Sequence, residues 1–193
     1  MKQFLFLYPL RDIMDFEVKN NSPQEKEGPK VFREKYKKTL NKCIDLRYRR
    51  NGFGINYAIF DDCVVSDLIE MQKDDRVIHV GMNLKVHRTI QSSGEYPYPN
   101  PDYILNQLQN PESLRVTGFH LWDCVQRVAK RGYERGLNVL VDEDLTELFS
   151  KIFMKPEFRI KKFPGYYPKN LPKRLLPMLM ESRRDKPWML QEY

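Results

Sequence analysis

Apolar residues along this chain fall into short compact runs that alternate with longer stretches of helical period. KQFLFLY (2–8) is the first compact run, and its lack of alternation suits a strand buried on both faces. INYAIF (55–60), RVIHVGM (76–82), LRVTG (114–118) and NVLVD (138–142) have the same character. In VFREKYKKTLNKCIDLRYRR (31–50), Phe32, Tyr36, Leu40, Cys43 and Ile44 recur at three-to-four spacing, which predicts an amphipathic helix. Gly52 is placed to stop it. VSDLIEMQ (65–72) reads as a short helix with Ser66 as its cap. In NPDYILNQLQN (100–110), Asn100 is the cap and Pro101 the first helical residue. DCVQRVAKRGYERG (123–136) turns Val125, Val128 and Ala129 inward, and Gly136 ends it. DLTELFSKIF (144–153) is the last clear helix. Two stretches read as irregular: EVKNNSPQEKEGPK (17–30), polar with Pro and Gly at its ends, and NLKVHRTIQSSGEYPYP (83–99). Loops that long are usually functional or mobile.

Strand–helix alternation repeated five times requires parallel strands with right-handed crossovers, and a sheet covered on both faces. The expected fold is a three-layer α/β/α domain, Rossmann-like, with a mostly parallel sheet of about five or six strands over residues 1–153. Ligands of such folds sit at the carboxyl ends of strands, here residues 9–15, 61–63, 81–88, 118–124 and 142–144. No GxGxxG follows the first strand, and no GxxxxGK[ST] occurs anywhere. NGFG (51–54) lies between a helix and a strand, the wrong end of the sheet for phosphate. No cofactor is expected.

Charge divides the chain. Residues 151–193 hold eleven Lys/Arg against four Asp/Glu, and so carry the entire net charge of +7. The same segment holds six of the thirteen prolines. A neutral body is therefore followed by a basic, proline-broken C-terminal extension (154–193). Its basic and aromatic residues could contact a nucleic acid through charge and stacking. Its apolar content, LPKRLLPMLM and WMLQEY, favours instead an arm docked on its own body or on a second subunit, and hence a homo-oligomer. Nucleic-acid binding is expected to be weak. No apolar run reaches membrane length, and MKQFLFLYPLRD lacks the cleavage site of a signal peptide. Cys43, Cys63 and Cys124 are odd in number and far apart, which fits reduced thiols in a cytoplasm and no zinc site.

Cys124 follows a strand and opens a helix. A helix N-terminus carries partial positive charge and lowers a thiol pKa. Asp123 acts in the opposite direction unless it caps the helix. Free cysteine is also among the most buried residue types, so a core position explains the same residue. The segment VTGFHLWDCVQRVAKRGYERGLNVLVDED (116–144) resembles the corresponding segment of the isochorismatase-like cysteine hydrolases. Gly118 precedes Cys124-Val125 by the family's spacing, and Ala129, Gly136 and Asp142 fall in register. The resemblance implies a cysteine nucleophile, an aspartate base and a lysine, acting on a small amide or vinyl ether. The family's acid ends the first strand. Here that strand ends Tyr8-Pro9, and the nearest acids are Asp12 and Asp15. The nearest lysine after the third strand is Lys85.

The histidines offer another base. His120 lies four residues before Cys124, and His87 also lies at a strand end; a Cys–His pair would deprotonate the thiol. His79, mid-strand, reads as a core histidine. Asp61, Asp62, Asp142, Glu143 and Asp144 lie at strand ends, where they could hold Mg²⁺ or cap the helices that follow. The candidate catalytic set is therefore Cys124, Asp12, Lys85 and His120. The turn before Cys124 would supply the N–H groups for an oxyanion. Three readings stay open: a hydrolase of this kind, active or with its triad lost; a non-catalytic binding or assembly protein; and a nucleic-acid-binding protein.

Overall fold

The computed structural model describes residues 1–21, 28–92, 94–166 and 176–191. Five strands form one sheet in the order β3-β2-β1-β4-β5, every neighbouring pair parallel. They are β1 (Lys2–Leu7), β2 (Phe53–Ile59), β3 (Arg76–His79), β4 (Ser113–Gly118) and β5 (Asn138–Val141). All five coincide with the compact apolar runs. The helices are α1 (Arg11–Asn21), α2 (Gly28–Arg47), α3 (Leu84–His87), α4 (Pro101–Asn106), α5 (Gln126–Glu134), α6 (Phe149–Ile152) and α7 (Leu176–Glu181).

β1 is central, and its alternating side chains feed two cores. Phe4 and Phe6 join Met14, Phe32, Tyr36, Leu40, Ile44 and Phe149 on one face. Leu5 and Leu7 join Ile104, Leu105, Val125, Val128 and Ala129 on the other. Each buried side chain of this kind contributes on the order of 1.5–3 kcal/mol, which is why the central strand tolerates no polar alternation. Asn100 caps α4 by accepting from Asp102 N–H at 2.9 Å. Gly52 closes the 3-10 turn Arg49–Asn51 that follows α2 with φ 75°, and Gly136 follows the end of α5 with φ 79°.

Four sequence expectations are corrected. The stretch 17–30 is not a loop where it is described: α1 runs to Asn21 and α2 starts at Gly28, with 22–27 outside the described residues. The apolar stripe of α1 is only Met14 and Val18, too narrow to read from the sequence. Residues 65–72 form turns rather than a helix, with Ser66 Oγ accepting from Leu68 N–H. Residues 144–153 do not form one helix: Thr146 is extended and separates a 3-10 turn (Glu143–Leu145) from α6. His79 is exposed, because β3 is an edge strand and only Ile78 of its four residues turns into the core.

The C-terminal segment packs on the body. Trp188 and Met189 are buried in the core that contains β5 and α5, and Val141 N–H, on the open edge of β5, donates to Trp188 C=O at 2.8 Å. A buried ion network ties the same segment in. Arg47 Nη1 donates to Asp142 at 3.0 Å and to Asp144 at 2.8 Å. Its Nε and Nη2 donate to Ile160 C=O and Arg159 C=O at 2.9 and 2.8 Å. Gly165 N–H donates to Asp144, Tyr48 O–H to Asp142, and Arg183 to Glu143. No helix of the described residues is long and apolar enough to cross a membrane.

Candidate ligand site at the strand carboxyl ends

The turn that leads from β4 to Cys124 is shaped by backbone conformation. Gly118 has φ 136°, and a Cβ there would lie 2.8 Å from Leu7 Cβ and collide with the Leu7 backbone; only glycine lets β4 run this close to β1. His120 is left-handed with φ 66°. A single wide turn, Leu121–Val125, then enters α5. Its N–H groups are partly occupied. Asp123 and Val125 donate to His120 C=O, and Leu121 N–H donates to the Glu147 carboxylate at 3.1 Å.

Cys124 lies inside this turn at 4% exposure. Burial pushes its thiol up to about 12; the Asp123 carboxylate adds to the rise, and the Arg127 guanidinium opposes it. Desolvation of the thiolate thus works against the lowering expected at a helix N-terminus. Cys43 is also raised to about 12, chiefly by burial, while Cys63 is partly exposed. Among the described residues no side chain hydrogen-bonds Cys124 Sγ.

The core cluster that contains Cys124 also takes in aromatic side chains from the carboxyl ends of the strands. Tyr8, at the end of β1 with φ 57°, stacks on Phe60 at 4.7 Å. His87 covers the same Phe60 at 5.1 Å. Tyr98 O–H donates to Asp123 at 2.5 Å, Arg127 Nε donates to the other oxygen at 2.7 Å, and the guanidinium lies 3.9 Å over the Tyr98 ring. Burial works against the Asp123 carboxylate, but its bonds to Arg127 and Tyr98 prevail and hold its carboxyl below the usual range. Asp123 is therefore not a helix cap. Burial, reinforced by the nearby Cys124 and Asp123, raises the Tyr8 phenol far above its ordinary value.

The structure divides the sequence candidates. Asp12 and His120 share a cleft of about 310 Å³ with Ile13, Phe16, Glu17, Arg88, Phe119 and Glu147. It lies between the carboxyl ends of β1 and β4, where strand order reverses. Cys124 and Lys85 do not line it; Lys85 is an exposed residue of α3. Asp15 pairs with Arg33 at 3.0 Å. Asp61 and Asp62 accept from Gly81 and Leu84 N–H groups, and Asp142, Glu143 and Asp144 are held by Arg47 and Arg183. Among the described residues no group of three or more His, Cys, Asp or Glu side chains could hold a metal ion.

Tyr8, Tyr98, Arg127 and Glu147 escaped the sequence reading. The Asp123–Arg127 spacing of four along a helix was a readable signal of an ion pair. Nothing local marked Tyr98 or Glu147.

No protein-family model matches the chain, and no curated protein matches it. Among solved structures it is similar to N-carbamoylsarcosine amidase from Thermoplasma acidophilum, at 19% identity over 79% of this chain and 93% of that chain, with a TM-score of 0.42. At that similarity the likeness carries nothing about chemistry.

Proposed function

We propose that this chain is a non-catalytic binding protein on a scaffold that resembles the cysteine hydrolases. Cys124 fills a core position, and a small ligand enters the cleft between β1 and β4. The observation that supports this is the thiol itself: buried, raised to about 12, with no base in hydrogen-bond reach among the described residues. A nucleophilic cysteine needs the opposite, a partner that favours the thiolate. Glu147 also places a carboxylate on Leu121 N–H, where a developing oxyanion would need a free donor. The cleft combines apolar walls (Ile13, Phe16, Phe119) with the carboxylates of Asp12, Glu17 and Glu147 and the single cation of Arg88. That lining favours a small molecule with an amine on an apolar body.

One observation favours the hydrolase reading. Tyr8 and His120, at the carboxyl ends of β1 and β4, both adopt positive φ, and such outliers among non-glycine residues cluster at active sites. The test is hydrolysis of a panel of small amides by the wild-type chain and by Cys124→Ser. Equal background rates support the binding reading; turnover by the wild type that the variant lacks overturns it.

A further inference from the structure

We infer that residues 83–91 and 95–100, between β3 and α4, are a gate over the part of the core that holds Tyr8, Phe60 and Cys124, and that Tyr98 is its latch. Residues 83–91 and 95–100 form two limbs of this segment, joined by Gln91 N–H donating to Glu95 C=O at 2.9 Å. The base of the gate is fixed. Asp61 accepts from Gly81 N–H at 2.9 Å and Asp62 from Leu84 N–H at 2.7 Å, and at the far end Asn100 caps α4.

Between these points, among the described residues, the limbs attach to the body at few places, the buried Pro99 among them. Val86, Ile90 and Tyr96 are exposed. Inward contacts come from Met82, Leu84 and Tyr98, which pack against the cluster containing Tyr8, Phe60 and Cys124, and from His87, stacked on Phe60. His87 Nδ1 lies 2.7 Å from Pro97 C=O and so joins one limb to the other, not to the body. The Tyr98–Asp123 hydrogen bond, with Arg127 over the ring, is the polar tie from the outer limb to the body.

A segment with fixed ends and few inward contacts opens locally at lower free energy than the fold as a whole. Gly81, at φ 71°, stands where the segment leaves β3. Opening would uncover Cys124 and leave Cys43 closed, because Cys43 lies in the other core, on the buried face of α2. The two thiols start from similar burial and similarly raised pKa values, so Cys43 is an internal clock for global unfolding.

The experiment is labelling with methyl methanethiosulfonate, read per cysteine by mass spectrometry, in low urea. The gate predicts that Cys124 reacts faster than Cys43 at a rate that hardly changes with urea, while Cys43 accelerates steeply as global unfolding should. In Tyr98→Phe the Cys124 rate should rise roughly tenfold, the change produced by losing about 1.4 kcal/mol, with the Cys43 rate unchanged. If both thiols accelerate in parallel with urea, or if Tyr98→Phe moves both equally or neither, there is no gate. This outcome is separate from the non-catalytic reading, which is decided by whether the wild type turns over an amide that Cys124→Ser does not.

Discussion

Replacing Arg47 by Met should be among the most damaging single changes in this protein, and its cost should depend on pH. Arg47 is buried between Asp142 and Asp144 and donates to both, and to two backbone carbonyls of the segment that follows α6. Methionine fills a similar volume but leaves two buried carboxylates without their cation. Breaking a buried pair from one side costs about 3–5 kcal/mol. For a chain of 193 residues, each kcal/mol moves the melting temperature by roughly 2–4 °C, so the loss should be on the order of 10 °C. Burial and the Asp142 charge raise Asp144 well above the usual carboxylate range, against the opposing pull of Arg47 and Gly165 N–H. The unfolded aspartate titrates near 4. A raised carboxyl contributes stability that is present below the unfolded value and lost as pH rises through the folded one. Protonated Asp144 needs Arg47 less, so the variant should lose less at pH 5 than at pH 8. Arg47→Lys keeps the charge but cannot reach both carboxylates and both carbonyls, and should fall between the two. Urea unfolding at pH 5 and pH 8 measures this. A loss under about 1 kcal/mol, or one equal at the two pH values, would refute the assignment of this network as a stabilising tie.

Three further outcomes follow from the same structure. Removing residues 176–193 takes Trp188 and Met189 out of the core and leaves Val141 N–H without its partner on the β5 edge; the cost should be at least about 3 kcal/mol, read as a lower urea midpoint, and unchanged melting would show that the arm is dispensable. Gly118→Ala should cost about 2–4 kcal/mol, from the φ of 136° and the collision with the Leu7 backbone; a melting temperature within 2 °C of wild type would contradict the close approach of β1 and β4. Iodoacetamide at neutral pH should modify the partly exposed Cys63 well before Cys124 and Cys43, and labelling of Cys124 first would reveal a thiolate that the geometry does not provide.

The strands were legible because each is a local signal. After Lys2 and Gln3, the run FLFLY has no polar position to turn outward, and compact apolar runs alternating with helices pointed to parallel strands. The Asn100 cap and the stops at Gly52 and Gly136 were legible for the same reason. What the sequence concealed was long-range. Arg47 looked like one more basic residue on a basic helix, because the carboxylates that bury it lie about a hundred positions away. Asp142–Asp144 looked like caps or metal ligands until that cation was placed among them. Cys124 stands in the turn that enters α5, but its reactivity depends on what lies over it. Tyr8 and Tyr98 join its cluster only through tertiary folding, and burial there works against the effect of the helix terminus. His79 failed as a core residue because alternation within β3 says nothing of whether a further strand covers its edge.

The central claim is that Cys124 is held as a neutral thiol. The direct measurement is the ultraviolet absorbance of thiolate, titrated in a Cys43→Ala, Cys63→Ser variant that leaves Cys124 as the only cysteine. The account predicts no thiolate up to about pH 10, consistent with a thiol raised to about 12. A midpoint below the roughly 8.5 of an ordinary cysteine would contradict it and restore Cys124 as a nucleophile.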